Sequence, residues 1–288
     1  MNTPLISVVS PFYGSTKLLK RCLDSLAAQT DGDFEVVVVD DCSPTSGRET
    51  VEAYDSRFRY VRQDVNKGPY QARVRGIEEA LGDYVVHVDF DDYVKPELVA
   101  ELRKAIEANR ADIVVYNLEQ DWGSGDIRPH WCHYEKGLYT SEEAIRRIAT
   151  GKLQYFNFAR AIRREMILRM WRDCPGLHDF RVWTVEDYSA IMPIILAART
   201  IEVIDYVGYR YYQTPDSISR VITLKKVRQA CRETRESARL TRDYAKSLGR
   251  SAADIAALDS LERTIVKWWL LEFWRVFKLR VKHLFVRF

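Results

Sequence analysis

The 288-residue chain predicts an α/β fold, a Rossmann-like and mostly parallel sheet flanked by helices, with a C-terminal helical extension. Three observations predict it. Short Val- and Ile-rich runs alternate with stretches of helical spacing through residues 1–116. Several of those runs stop abruptly at Pro or Asp, where the C-terminal ends of parallel strands would lie. The last part of the chain, from about residue 221, carries helical spacing and little strand signal.

Taken in order, Leu5-Ile6-Ser7-Val8-Val9-Ser10 reads as a first strand stopped by Pro11. Lys17 to Gln29 places Leu18, Leu19, Cys22, Leu23 and Leu26 at helical spacing. Phe34 to Val39 is a second strand, closed by Asp40-Asp41. A short helix near Arg48–Tyr54 leads to a strand at Phe58–Arg62, and Asn66-Lys67-Gly68 makes a turn. Gly68 to Leu81 is a helix carrying Arg73 and Arg75. Tyr84-Val85-Val86-His87-Val88 is a buried strand that runs into Asp89-Phe90-Asp91-Asp92. Three acids within four positions repel one another, which is most economical if they share a cation. A helix from Pro96 to Asn109 and a strand at Asp112–Tyr116 complete this half. Short right-handed crossovers would then bring Pro11, Asp40-Asp41 and Asp89–Asp92 to one sheet edge.

Glu119 to Tyr139, with Gly123, Gly125 and Pro129, reads as loops or an antiparallel edge, and Ser141-Glu142-Glu143 opens a helix to about Thr150. Thr184-Val185-Glu186-Asp187-Tyr188 precedes an apolar helix, Ala190–Ala198. Acids there often only complement a helix dipole. Ile201 to Tyr212 returns to strand, Thr214-Pro215-Asp216-Ser217 is a turn, and the remainder is helical.

Hydrophobic content of 47% and charged content of 30% are those of a folded chain, and the net charge of +3 hides an asymmetry. From Arg220 onward 17 Lys/Arg face 7 Asp/Glu, a net of +10 against −7 for the preceding residues, which points to an anionic partner for the tail. Between Arg263 and Phe288, helical projection gathers Val266, Trp269, Leu270, Phe273, Phe277 and Leu284 on one face. Lys267, Arg275, Lys278 and Lys282 lie beside it, with Trp268 and Trp274 near its edges. That is the composition of a helix lying in an anionic membrane interface; packing on its own domain or a second subunit is the competing reading. No nucleic-acid reader module appears, so nucleic acid is not expected as a partner. Five scattered cysteines without C-x-x-C fit a reducing compartment, and His130, Cys132 and His133 match no common zinc spacing. Met1–Pro4 is too short and uncharged for a signal peptide, and no apolar run approaches the ~20 residues of a membrane span. The expectation is a cytoplasmic protein, peripheral at the inner face of the plasma membrane.

The ordered motifs resemble one family. They are Ile6-Ser7-Val8-Val9-Ser10-Pro11-Phe12-Tyr13, Cys22-Leu23-Asp24-Ser25-Leu26, Gln29-Thr30, Glu35 through Ser43, Asn66-Lys67-Gly68 with Ala72-Arg73, and Val88-Asp89-Phe90-Asp91-Asp92. Glu186-Asp187, then Tyr209-Arg210-Tyr211-Tyr212 with Ser217-Ile218-Ser219-Arg220, complete the set. Over residues 5–220 the chain is similar to the inverting family-2 glycosyltransferases of GT-A fold, in particular those of bacterial capsules and cell surfaces. Departures are Gly14 for a frequent Asn, Cys42 for a Gly, Val74 and Phe90 for small or polar residues, and Gln213 near a frequent His.

The resemblance implies a GT-A domain at 1–220, with a nucleotide-sugar half to about 116 and an acceptor half after it, and a separate basic, aromatic extension at 221–288. It implies transfer of a hexosyl or N-acetylhexosaminyl group, with inversion, from a nucleoside-diphosphate sugar (UDP by family habit) to a hydroxyl of a glycan or lipid-linked acceptor. Asp91, with Asp89 toward metal or ribose, would hold Mn²⁺ or Mg²⁺. Pro11, Tyr13, Lys67, Gly68, Arg73 and Phe90 would line the nucleotide-sugar site, and Asp40 or Asp41 would accept from the base. Asp187 would be the general base, with Glu186 as fallback or orienting partner. A homo-oligomer is compatible with this reading. Two alternatives compete. A nucleotidyltransferase would want a basic, Gly-rich loop after the first strand, which Pro11–Ser15 lacks. A non-catalytic adaptor on the same fold would be expected to lose Asp91 or Asp187, and both are present.

Overall fold

The computed structural model describes residues 3–213 and 223–285, residues 276–285 by backbone alone. The Thr214–Ser217 turn and the Ser217–Arg220 motif lie outside the described residues. The first half runs β1 (Ile6–Phe12), α1 (Thr16–Ala27), β2 (Phe34–Asp40), α2 (Arg48–Glu52), β3 (Phe58–Arg62), α3 (Pro69–Glu79), β4 (Tyr84–His87), β5 (Tyr93–Val94), α4 (Leu98–Asn109) and β6 (Ile113–Asp121). The second half runs β7 (Ile127–Pro129), β8 (Gly137–Thr140), α5 (Ser141–Ala149), β9 (Arg160–Arg163), α6 (Arg164–Asp173), α7 (Pro175–His178), α8 (Glu186–Ala197) and β10 (Thr200–Tyr212). Two long helices follow, α9 (Leu224–Ser247) and α10 (Ala252–Phe285).

Among the described residues one sheet has the order β3-β2-β1-β4-β9-β6-β10-β5, with β7 on β6 and β8 on β10. Its first four strands are parallel, as the alternating pattern requires. Chain order reverses at β1, which has β2 on one side and β4 on the other. Ligands of open α/β sheets bind outside the strand ends at such a switch point. The expected parallel run is interrupted by β9, which is antiparallel to both β4 and β6. Four residues with an Arg at each end gave this strand no periodic signature; its middle, Ala161-Ile162, is fully buried.

Pro11 does not stop the first strand, which continues to Phe12. Val88 N donates to Val9 O, so the residue two positions on, Pro11, also faces the β4 side. There β4 has already ended at His87, and the missing N–H forfeits no ladder bond.

The core is continuous from the β1–β2–β4 sheet through α8 to α9 and α10. Helix α3 reaches the sheet closely at Gly76, where an added Cβ would lie 2.2 Å from Val9 Cγ1. Gly76→Ala should therefore destabilise the fold despite the better helix propensity of Ala, by about 1–3 kcal/mol, the usual cost of overpacking. A lower urea midpoint at unchanged slope, restored by adding Val9→Ala, is the expected result.

Candidate active site

At the end of β2 the two neighbouring carboxylates do different work. Asp40 is fully buried and accepts from Ser43 N (2.7 Å), Gly47 N (3.2 Å), Tyr60 OH (2.6 Å) and Arg62 Nη1 (2.7 Å). Its oxygens are occupied in shaping the 43–47 loop. Asp41 accepts from Gln63 Nε2, Lys67 N and Gly68 N, each at 2.8 Å, and so pins the Asn66-Lys67-Gly68 turn. Burial pushes the Asp41 carboxyl up, against the lowering effect of the two backbone donors. Among the described residues Asp41 takes three donors against four on Asp40, so it keeps more accepting capacity.

The three acids after β4 also separate. Asp92, almost completely buried, accepts from Tyr209 OH (2.7 Å) and Tyr212 N (2.8 Å), tying the strand end to β10. Burial raises its carboxyl well above the usual range, with Asp91 and Asp89 adding to the effect. Asp92 is turned into the β10 contact, so of the three acids Asp89 and Asp91 are the two that could face a shared cation. Asp89 Oδ1 accepts from Arg73 Nη2 at 2.7 Å. The Asp91 carboxylate accepts no hydrogen bond from another of the described residues, while its main-chain carbonyl takes the Arg21 guanidinium. Burial, then repulsion from Asp89, pushes the Asp91 carboxyl up to about 6. A half-buried carboxylate beside a second carboxylate suits a hard divalent cation. Among the described residues no three or more His, Cys, Asp or Glu gather as a metal cage, so a cation here would need ligands from a substrate.

Arg73 joins this end to the other acid pair. On α3, and 8% exposed at its side chain, it lies 2.7 Å from Asp89 and 4.0 Å from Glu186 Oε1. Burial opposes its charge, and Asp89, Glu186 and Asp187 outweigh that opposition. Its helix starts after Gly68, whose φ of 87° favours glycine and whose absent Cβ leaves room for the Trp183 ring 3.1 Å away. His87 stays neutral, pushed down to about 3 by burial and by the Arg73 charge.

Asp187 stands in the first turn of α8. Its Oδ1 accepts from Asn157 N (2.8 Å) and Asn157 Nδ2 (2.7 Å), which fixes the carboxylate plane; among the described residues none donates to Oδ2. Burial raises both acids of the pair: Glu186 to about 7, with Asp187 adding repulsion, and Asp187 in the same direction against the pull of Arg73 and Asn157. Neither acid is merely a helix-dipole complement.

The structure brings Arg73, Asp89 and Glu186 into contact, and Asp41 with Lys67 and Gly68. Pro11 is buried inside β1, Tyr13 is exposed just past its end, and Phe90 packs edge-on against Phe12 at 5.3 Å. Sequence reasoning missed three supports. Asn157 clamps Asp187; Arg160, buried, gathers the Gln154, Phe156 and Phe158 carbonyls and curls the loop that presents Asn157. Glu233 of α9, 5% exposed, accepts from Trp183 N (3.2 Å), Thr184 N (3.0 Å) and Thr184 Oγ1 (2.6 Å), just before the acid pair. An acid among the apolar positions of the α9 pattern was the available signal for Glu233; nothing in the local sequence marks Asn157.

A family model described as Glycosyl transferase family 2 matches residues 7–171. The chain is 29% identical over 226 residues to "Uncharacterized glycosyltransferase EpsJ" of Bacillus subtilis (strain 168), a match covering 76% of this chain and 64% of that protein. It is 35% identical over 126 residues to "Glycosyltransferase GlyG" of Streptococcus pneumoniae serotype 4, covering 42% of each chain. The matches thus span less than two thirds of the length of these relatives. The crystal structure of S. aureus TarS 1-349 in complex with UDP-GlcNAc shares the fold, with a TM-score of 0.62 at 22% identity over 83% of this chain and 71% of that one.

Asn157→Ala removes one of the two donors on Asp187 Oδ1. A carboxylate that loses a charge-assisted hydrogen bond holds its proton to higher pH, so Asp187 should titrate at higher pH than in the wild type. Carbon-detected NMR of labelled aspartate reads this directly, and an unmoved titration would remove Asn157 from the site.

Proposed function

The chain belongs to glycosyl transferase family 2, and from that premise we propose that it transfers a sugar from a nucleoside-diphosphate sugar to an acceptor hydroxyl with inversion. The observation that supports the proposal is the Arg73 bridge between Asp89, two residues before Asp91 after β4, and Glu186, next to Asp187 in α8. We take UDP as the carrier, since TarS, which has the same fold, binds UDP-GlcNAc. Asp41 is our choice for the base contact, because Asp40 is already occupied by four donors.

In this reading the acceptor O–H gives its proton to the open Oδ2 of Asp187 as the oxygen attacks the anomeric carbon. The bond from that carbon to the diphosphate breaks on the opposite face, and the electron pair leaves with the diphosphate. Asn157 holds the base in one orientation. Glu186, next to Asp187 and facing Arg73, keeps the guanidinium placed between the two halves. Asp91, with Asp89, would hold Mn²⁺ or Mg²⁺, and such an ion would stabilise the charge of the departing diphosphate. The acceptor we propose is a glycan or lipid-linked glycan of a surface polysaccharide, reached at the cytoplasmic face of the membrane.

Two outcomes test this reading. Asp187→Asn should cut transfer by roughly 10²–10⁴-fold with UDP-sugar binding little changed, since it removes only the proton acceptor; loss of donor binding instead would move Asp187 into the nucleotide site. Asp91→Asn should abolish the Mn²⁺-dependent part of UDP binding by calorimetry while the unfolding midpoint holds. The pH dependence follows from the acid pair. The base works only deprotonated and burial pushes the Asp187 carboxyl above the usual carboxylate range, so kcat/KM should fall with falling pH before an ordinary carboxylate would begin to protonate. A profile that falls only where a free aspartate titrates would be incompatible with Asp187 as base.

A further inference from the structure

Helix α10 shows two faces that the sequence projection had merged. Leu258, Leu261, Ile265 and Trp269 are buried against the protein, on the side toward α5 and α9. Trp269, expected on the outward apolar face, is therefore a core residue, and Val266 and Phe273 are partly covered. The exposed face is turned away from it. Arg263, Thr264, Lys267, Trp268, Leu271, Trp274 and Arg275 fall on one arc of about 140° at helical spacing, with Leu270 at its border. Trp268, Leu271 and Trp274 are 49%, 57% and 55% exposed.

The acids of this stretch sit elsewhere. Glu262 is bound to Arg242 of α9, and Glu272 faces Arg275 at 2.8 Å with only 22% of its side chain exposed. The exposed arc thus carries three cations and no acid, interleaved with two indoles and a leucine. The sequence continues this sign, with Lys278, Arg280, Lys282 and Arg287 and no Asp or Glu after Glu272. Among the described residues no helix is long and apolar enough to cross a membrane.

We infer that this outward face of α10, Arg263 to Arg275, is a docking surface for an anionic phospholipid bilayer, on which the helix lies rather than spans. Indoles suit the boundary between headgroups and acyl chains, where an apolar ring meets water. Interspersed Lys and Arg supply attraction that depends on anionic lipid and weakens with salt. A second copy of the chain is less suited, because two such faces would bring like charges together. The inference is independent of the catalytic reading, and its test uses no substrate.

The test is sedimentation of the full chain with vesicles of phosphatidylcholine alone or with 30% phosphatidylglycerol. The wild type should pellet with the anionic vesicles, and less so as salt rises. Arg263→Gln/Lys267→Gln/Arg275→Gln should lower partition into anionic vesicles by roughly a hundredfold, about fivefold per charge. Trp268→Ala/Leu271→Ala/Trp274→Ala should lower it at every salt concentration. Because all six side chains are exposed, circular dichroism and the unfolding midpoint should stay at the wild-type values. Failure of the wild type to bind either vesicle overturns the proposal, as does binding that survives both variants. An apolar-face variant that dissociates a wild-type dimer in analytical ultracentrifugation, with vesicle binding intact, assigns the face to a second copy instead.

Discussion

The guanidinium of Arg73 sits where water scarcely reaches, between a carboxylate that follows β4 and one that opens α8. Taking such a cation out of water costs on the order of several kcal/mol unless opposite charge stands close by. Asp89, Glu186 and Asp187 supply that charge, and Arg73 in turn makes three crowded carboxylates tolerable in one crevice. The rest of the site depends on this balance. His87 must stay neutral near it. Helix α3 must approach the sheet closely enough to deliver the side chain, which Gly76 allows against Val9. The turn before the helix must be held, which Asp41 does through Lys67 N and Gly68 N.

Hydrogen bonding separates the carboxylates that fix loops from those with accepting capacity to spare. Asp40, Asp92 and Glu233 each accept two to four donors from the protein and are nearly or fully buried. Such groups fix loops, and a ligand would gain little by competing for them. Asp91 and the Oδ2 of Asp187 are half-buried acceptors that take no hydrogen bond from another of the described residues. Burial pushes both carboxyls up, and they are the acceptors a substrate, proton or cation could still use.

This distinction also explains what could be read from the sequence. Valine-rich runs ending in acid marked β1, β2 and β4 and the edge on which they converge, because burial and strand-end position both leave local signatures. Glu186-Asp187 was legible as a pair, and its proposed role as base and orienting partner came from the family resemblance rather than from local pattern. Which of Asp40 and Asp41 is saturated depends on Tyr60, Arg62, Gln63 and the turn at 66–68, all distant in sequence. Strand β9 and the loop before it were illegible for the same reason: Arg160 acts on backbone carbonyls, and Asn157 on an acid thirty residues away. Along α10 the 3.6-residue period was correct, but the buried arc was misplaced, because neighbouring indoles at 268 and 269 have equal hydropathy and opposite fates.

Helix α9 connects these observations. Its Glu233 is a buried carboxylate inside the helical extension, yet its three donors belong to Trp183 and Thr184, immediately before the acid pair. Gln229, one turn earlier, donates to its other oxygen at 2.7 Å and keeps it aimed at that segment. The backbone that sets Glu186 opposite Arg73 is thus held from the extension, and α10 packs on α9 behind it. A helix that only tethered the protein would not need to place a buried charge against the loop of the proposed base. The extension therefore contributes to the geometry of the site as well as presenting the outward face of α10, and shortening the chain before α9 would release the segment that carries the acid pair and expose part of the shared core.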